Sequence, residues 1–458
     1  MSDSGQPEFS ARPVADTELS WCMSVPGGTG VTVIGLLLTK PADINVLQSA
    51  IHKLQKSHPI TRSKLHYDPT TEYLLFPHAT NPSTPPTINH HSLSPFHRLL
   101  EHESNQNPWS SNPDSSSSPP DADTDVFHAS VYTLDGPKWA VMLKLHTATC
   151  DRRAAVSMLR ELVVLIRRRE SEGDGVELGM EENGEVSLGI EECIPSGKAS
   201  KPFWARGIDI LGYSLNSFRL ANMDFVDADS PRYSEMVRLQ MNLEETSRLL
   251  EVSRSQEIKL CGALAAAGLM AVRTLKDLPN GQWEKYSVTT LLDCREILEP
   301  ALSSHHVGFY HSAIINSHDM KGEEQLWELA RRTYNSFRDA KNGNKHFSSM
   351  ADLNFLMRRA IENPGLTPSS SLRTSFISVF ENPLVIEIAD DESEELGLED
   401  FVAYASVHGV GPSIAIFDLI KNGRLNCACM YPAPLHSREQ MQELVDHMKR
   451  ILLDGCSS

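Results

Sequence analysis

The stretch KLHTATCD, residues 144–151, lies between a strand-like run and a long helix-forming run, and its reading decides the fold. Upstream, DVFHASVYTL and KWAVMLKLH flank the turn DGPK, a pattern that predicts two strands. Downstream, RRAAVSMLRELVVLIRRR is too long and too rich in Ala and Leu for anything but a helix. The octapeptide is therefore a strand-to-helix junction. Asp151 stands where an N-cap belongs, a choice that helix geometry alone would justify.

Working outward, VTVIGLLL (31–38) predicts a strand. PADINVLQSAIHKLQKSHPI predicts a helix capped by Asp43, with Val46, Leu47, Ala50, Ile51 and Leu54 on one face. Residues 79–124 are rich in Ser, Pro and Asn with few apolar anchors, which predicts a disordered surface insertion. An acidic, glycine-punctuated stretch, ESEGDGVELGMEENGEVSLGIEE, follows the long helix-forming run, and the irregular passage after it, to about residue 233, reads as an inter-domain crossover. Beyond it come two helices, the second rich in small residues, then strand-like VTTLLDC and HSAIIN, a helical LWELARRTYNSF, and strand-like TSFISVF. At the end, SIAIFDLI and LNCACMY flank an Asn422-Gly423 hairpin turn, and Ser437 with Gln440 opens a last helix. The fold class is mixed α/β in two comparable halves, 1–190 and 234–458, joined by a crossover at 191–233.

Composition narrows the function. The chain has 458 residues, 40% of them hydrophobic, enough for a sizeable core in two domains. Sixty acidic against 42 basic residues give a net charge of −18, which argues against nucleic acid or an anionic membrane as partner. Eight scattered cysteines form neither a disulfide framework nor paired zinc knuckles, so free thiols in the cytoplasm are expected. The N-terminal residues lack the basic start and apolar run of a signal peptide. Cys427 and Cys429 alternate on one strand, where packing explains them better than metal.

Several segments together resemble the chloramphenicol-acetyltransferase-like superfamily, which includes BAHD acyltransferases, alcohol acetyltransferases and condensation domains of peptide synthetases. Its hallmark is HHxxxDG after a central strand. Here the letters are His146, Thr147, Ala148, Thr149, Cys150, Asp151 and Arg152, so the second histidine and the glycine are replaced. LLDCREILEPALSSHHVGFY is similar to the family's DxRxxLxPxLxxxxxGN segment, with Asp293, Arg295, Pro300 and Gly308 on the recurring letters. His408-Gly409-Val410-Gly411-Pro412 resembles the FGWGKP part of the C-terminal motif. The opening TELSWCMSVPGGTG resembles a plant-type branch of the alcohol-acetyltransferase-like group.

The resemblance implies two similar domains around a tunnel and a usually monomeric protein. An acyl-CoA co-substrate would enter on one side and an alcohol or amine on the other, with no metal or bound cofactor. It also implies that the motif's second histidine is the general base and that the aspartate is structural, held by an arginine; Arg295 is the expected partner of Asp151.

Thr147 cannot take a proton at neutral pH, and a positioned base contributes about two to four powers of ten in rate. Three residues could bear on the loss. His146 is either a displaced base or a buried, hydrogen-bonded histidine, since neighbours on a strand point to opposite faces. His408 is either a base or ligand contact on an exposed loop, or a turn residue between glycines. Cys150 could be proposed as a nucleophile, but small residues are ordinary at that position. Arg152 would either crowd the CoA channel or grip an anionic ligand, with Gly409 and Gly411 beside the tunnel. His305, His306 and His311 are unevenly spaced for a metal. Three functions stay open: an acyl-CoA-dependent O- or N-acyltransferase of specialised metabolism with a non-standard site, a repurposed member assisting CoA-independent chemistry such as cyclisation, and a catalytically silent binding protein.

Overall fold

The computed structural model describes residues 12–40, 43–68, 72–77, 94–110, 124–171, 187–217, 219–279, 281–367, 370–389 and 394–457. Strand Thr29–Leu38 is buried along its whole length. It lies inside a four-stranded antiparallel sheet, in the order Leu398–Val407, Thr29–Leu38, Trp139–His146, Phe127–Thr133. Both faces of this sheet are covered, which is why the strand reads as continuously apolar instead of alternating. On one face Ile34, Leu36 and Leu143 pack against Leu47, Leu54 and Leu159 from helices Ile44–Ser57 and Arg152–Ser171. On the other, Val33, Leu37 and Met142 meet Met236, Ala415 and Met430 of the second lobe. Asp43 caps its helix as expected, accepting from the Asn45 N–H at 2.8 Å.

The second lobe is built on a seven-stranded mixed sheet in the order His311–Met320, Glu284–Asp293, Arg373–Phe380, Gly411–Lys421, Arg424–Ala433, Tyr233–Gln240, with Leu384–Ile386 beside Gly411–Lys421. Arg373–Phe380 runs parallel to both neighbours. Helices Leu260–Leu275, Leu326–Asn342 and Arg438–Gly455 cover one face. The first of these is small-residue rich because it packs closely: a Cβ on Gly268 would fall 2.6 Å from Ile377, and one on Gly262 would fall 2.9 Å from Tyr334. The hairpin turn has positive φ at Asn422 and Gly423, as a two-residue turn of this hand requires. Cys427 and Cys429 both enter the core beneath these helices, opposite in face to Ala428.

Three expectations are corrected. The 79–124 insertion contains an ordered helix, Pro95–Asn105, capped by Ser94 and carrying buried Phe96, Leu99 and Leu100 at helical spacing. Four apolar or aromatic anchors, Trp109 included, suffice to bind it to the sheet. Leu100 lies over Gly35, where a Cβ would come within 2.5 Å of its side chain. The irregular crossover also holds a helix, Phe203–Ser217. Finally, the division of the chain at residue 234 is crossed by strand Leu398–Val407, which leaves the second half to form the edge of the first lobe's sheet.

Replacing Leu100 with Ala should cost about 2–5 kcal/mol, because a fully buried side chain is lost over a glycine that cannot fill the space. A melting temperature lowered by about 5–10 °C checks this, and an unchanged one would show that the inserted helix does not hold the lobe.

Candidate active site

The junction forms as read: strand Trp139–His146, one 3-10 turn at Thr147–Thr149, then helix Arg152–Ser171. Asp151 organises it. Oδ1 accepts from the Ala154 N–H at 2.8 Å, the N-cap bond. Oδ2 accepts from the Tyr310 N–H at 2.8 Å and lies 2.9 Å from Arg295 Nη2 and 3.0 Å from His311 Nδ1. Burial works against this carboxylate, yet Arg295 and His311 hold it well below the usual carboxylate range. Arg295 is itself held by Asp293 Oδ1 at 2.9 Å and the His306 carbonyl at 3.0 Å, with its guanidinium 5.0 Å from the Tyr310 ring centre. The partner implied for Asp151 is thus the residue it touches.

The motif residues before it are closed off. Thr147 is buried, and its Oγ1 lies 2.7 Å from Thr32 Oγ1. His146 is buried edge-on to Trp109, ring centres 5.1 Å apart, and its Nδ1 accepts from the Ala148 N–H at 3.2 Å. Burial depresses its pKa to about 3. Its lone pair is used and its charged form disfavoured, so the displaced-base role is not available to it. Cys150 is fully buried and its thiol is pushed well above its ordinary value, which removes the thiolate a nucleophile needs.

The remaining candidates have other occupations. His408 Nδ1 lies 2.9 Å from Ser234 Oγ, a hydroxyl that also accepts from the Val407 N–H. Its ring covers Gly28, where a Cβ would sit 1.9 Å from Nε2, and burial followed by the Arg373 charge lowers its pKa to about 4. Gly409 makes a backbone contact, its Cβ position being only 2.5 Å from the Gly27 carbonyl, and Gly411 begins strand Gly411–Lys421 opposite Arg373. Both glycines are buried, serving the loop's path where ligand contact was expected. Arg152, expected to crowd a channel or grip an anion, is bound internally. Its Nη1 lies 3.0 Å from Asp418 Oδ1, its Nη2 donates to the Asp418 carbonyl, and its guanidinium rests 4.0 Å from the Phe380 ring centre. A cavity of about 30 Å³ beside this pair, lined also by Phe401, Phe417, Lys421 and Cys427, has room for a water or two.

Three partners escaped the sequence reading. Asp418 had a signal, as one aspartate in the apolar run SIAIFDLI implies a buried counter-charge. Arg373 had none: it donates to the carbonyls of Val407, Gly409 and Pro412 and so fixes the 407–412 loop, with burial drawing its guanidinium down to about 9. His311 was weighed only for metal, and among the described residues no group of three potential ligands exists. The structure places its ring against Phe309 and Phe380, in an aromatic row running from Trp21 through Phe309, His311 and Phe380 to Phe417 across the seam between lobes.

Residues 230–369 match the family described as phthiocerol/phthiodiolone dimycocerosyl transferase C-terminus. No curated protein sequence matches the chain. Polyketide synthase associated protein 5 from Mycobacterium tuberculosis superposes with a TM-score of 0.66 at 16% identity, over 97% of this chain and 98% of that one. Trichothecene 15-O-acetyltransferase from Fusarium sporotrichioides gives 0.69 at 11% identity, over 99% and 97%. The epimerization domain from the third module of tyrocidine synthetase B gives 0.62 at 13% identity, over 100% and 98%. The mixed α/β two-domain architecture is therefore shared along essentially the whole chain, while the plant-type branch has no counterpart among these three.

Two predictions follow from the geometry. Asp151→Ala leaves Arg295 buried without its inter-lobe partner and should cost about 3–5 kcal/mol, read as a lower unfolding midpoint; an unchanged midpoint would show that the contact carries no stability. His146 has a folded pKa of about 3 against 6.5 for a free imidazole, so acid favours the unfolded chain. Its contribution is whole above pH 6.5 and is lost toward pH 3, at about 1.4 kcal/mol per pH unit. His146→Gln should therefore flatten the decline of melting temperature between pH 6.5 and 4, and equal slopes would refute the assignment.

Proposed function

From the fold of the chloramphenicol-acetyltransferase-like and condensation-domain superfamily, we propose that this chain is an acyltransferase that uses His311, not the motif position, as its proton acceptor. The observation that carries the reading is the 3.0 Å approach of His311 Nδ1 to Asp151 Oδ2. The carboxylate stands within ion-pair distance of Nδ1, without an aligned hydrogen bond, and it faces the charge an imidazolium would acquire. Nε2, the ring nitrogen turned away from that carboxylate, is left as the acceptor. The aromatic row around it suits an apolar acyl chain.

In this reading the acceptor's N–H or O–H gives its proton to Nε2 while its heteroatom attacks the thioester carbonyl of an acyl-CoA. The C–S bond then breaks, and the departing thiolate takes the proton back. Thr147 has no part in the proton transfer. An amine acceptor tolerates a relocated base best, because its neutral form is already nucleophilic. Support comes from the family match over residues 230–369 and from a neighbouring structure that is itself an acetyltransferase.

The test uses the full chain with acetyl-CoA and a panel of amines and alcohols, following free thiol and acylated product. His311→Gln should lower kcat about 10²- to 10⁴-fold with KM little changed, while Thr147→Ala should leave kcat within about threefold. Full activity in His311→Gln would overturn the assignment of the base. Absence of transfer to every acceptor would favour the repurposed or silent alternatives.

A further inference from the structure

Helix Phe203–Ser217 is the most exposed large apolar element of the described residues. Trp204 is 69% exposed, Ile208 62% and Leu211 59%. At 100° per residue these three fall within about 60° of one another and form a single stripe. Asp209 lies roughly 100–160° away from them on the same wheel and ties the helix to the protein body, through Lys201, which sits 2.5 Å from Asp209 and 2.6 Å from Asp352 of helix Met350–Glu362. The stripe therefore faces outward. Singly exposed apolar residues need no explanation, but a stripe on the outer face of an amphipathic helix does.

Local charge indicates the occupant. Between residues 198 and 219 the chain carries Lys198, Lys201, Arg206 and Arg219 against Asp209 alone, although the whole protein has a net charge of −18. Lys201 is used internally; Lys198, Arg206 and Arg219 have no ion pair among the described residues. At physiological ionic strength charges farther than about 8 Å are largely screened, so a surface meeting this helix senses its bases more than the distant acids. Three side chains are too small a patch for a stable protein interface, which needs about 1,000 Å² or more in total. Trp beside Ile and Leu with bases at both ends is the composition of a helix lying in a lipid headgroup layer. Among the described residues no single helix is long and apolar enough to cross a membrane, so the contact would be peripheral.

We propose that helix Phe203–Ser217 docks the protein on an anionic lipid surface, with Trp204, Ile208 and Leu211 in the headgroup layer and Lys198 and Arg219, at the two ends of the helix, facing lipid phosphates. This is independent of the catalytic reading. It reverses, for one face of the molecule, the expectation that net charge gives of no membrane partner.

The experiment is sedimentation of the full chain with vesicles of phosphatidylcholine alone or with 30% phosphatidylserine, alongside light scattering without lipid. The expected result is binding to the anionic vesicles at least tenfold stronger than to the neutral ones and weakened in 0.5 M salt. A tenfold or greater loss is expected in Trp204→Glu/Ile208→Glu, a pair on an exposed face where folding should be unaffected, checked by an unchanged melting temperature. Three results would each overturn the proposal: no sedimentation with either vesicle, sedimentation unaffected by the double variant, or a dimer in solution that the double variant dissolves.

Discussion

One carboxylate makes the two lobes a single structure. Asp151 begins a first-lobe helix, yet three of its four contacts, Tyr310, Arg295 and His311, belong to the second lobe. A buried anion is tolerable only where every lone pair is met, and here the satisfying groups come from opposite sides of the seam. The lobes cannot part at this point without stranding both an aspartate and an arginine in an apolar setting. The same carboxylate stands 3.0 Å from the His311 ring, so the element that holds the halves together also sets the geometry on which a chemical role would rest.

A second inter-lobe pair stands beside the first. Arg152, at the position where the resemblance leads one to expect glycine, is matched by Asp418 on a strand otherwise apolar, and its guanidinium lies on Phe380. The exchange thus places a long cation 3.0 Å from a buried carboxylate, with its flat face stacked on a ring. Two adjacent buried ion pairs spanning one seam make that seam specific in register, because sliding by one residue would leave four charges unmet.

Much of the fold was legible because local signals agreed with the global one: the Asp43 cap, the Asn422-Gly423 turn, the apolar run at 31–38 and the strand-to-helix junction at 144–151 all stand where read. The inserted helix at Pro95–Asn105 was lost in its surroundings, since Ser and Pro on either side hid three apolar residues at helical spacing. The site was less legible for a different reason. Asp151 and Arg295 carry a motif, but the partners that decide what His146, Arg152 and His408 can do are Ala148, Asp418 and Ser234. Two of those three are remote in sequence: Asp418 stands out in its apolar run without naming its partner, and Ser234 carries an ordinary local signal. His311 was seen only as one of three uneven histidines because nothing in its neighbourhood announces that it meets residue 151.

Strand Leu398–Val407 has a consequence for how the molecule comes into being. It forms the outer edge of the first lobe's sheet beside Thr29–Leu38, so that lobe's main sheet cannot be completed until the ribosome has made residue 407, some 370 residues after the strand it pairs with. Until then the long apolar strand Thr29–Leu38 has one unpaired edge, the kind of surface that chaperones occupy and that aggregates form upon. A first half expressed alone would keep that edge permanently open. The chain is therefore two lobes in shape but one unit in synthesis, and its first lobe is finished almost last.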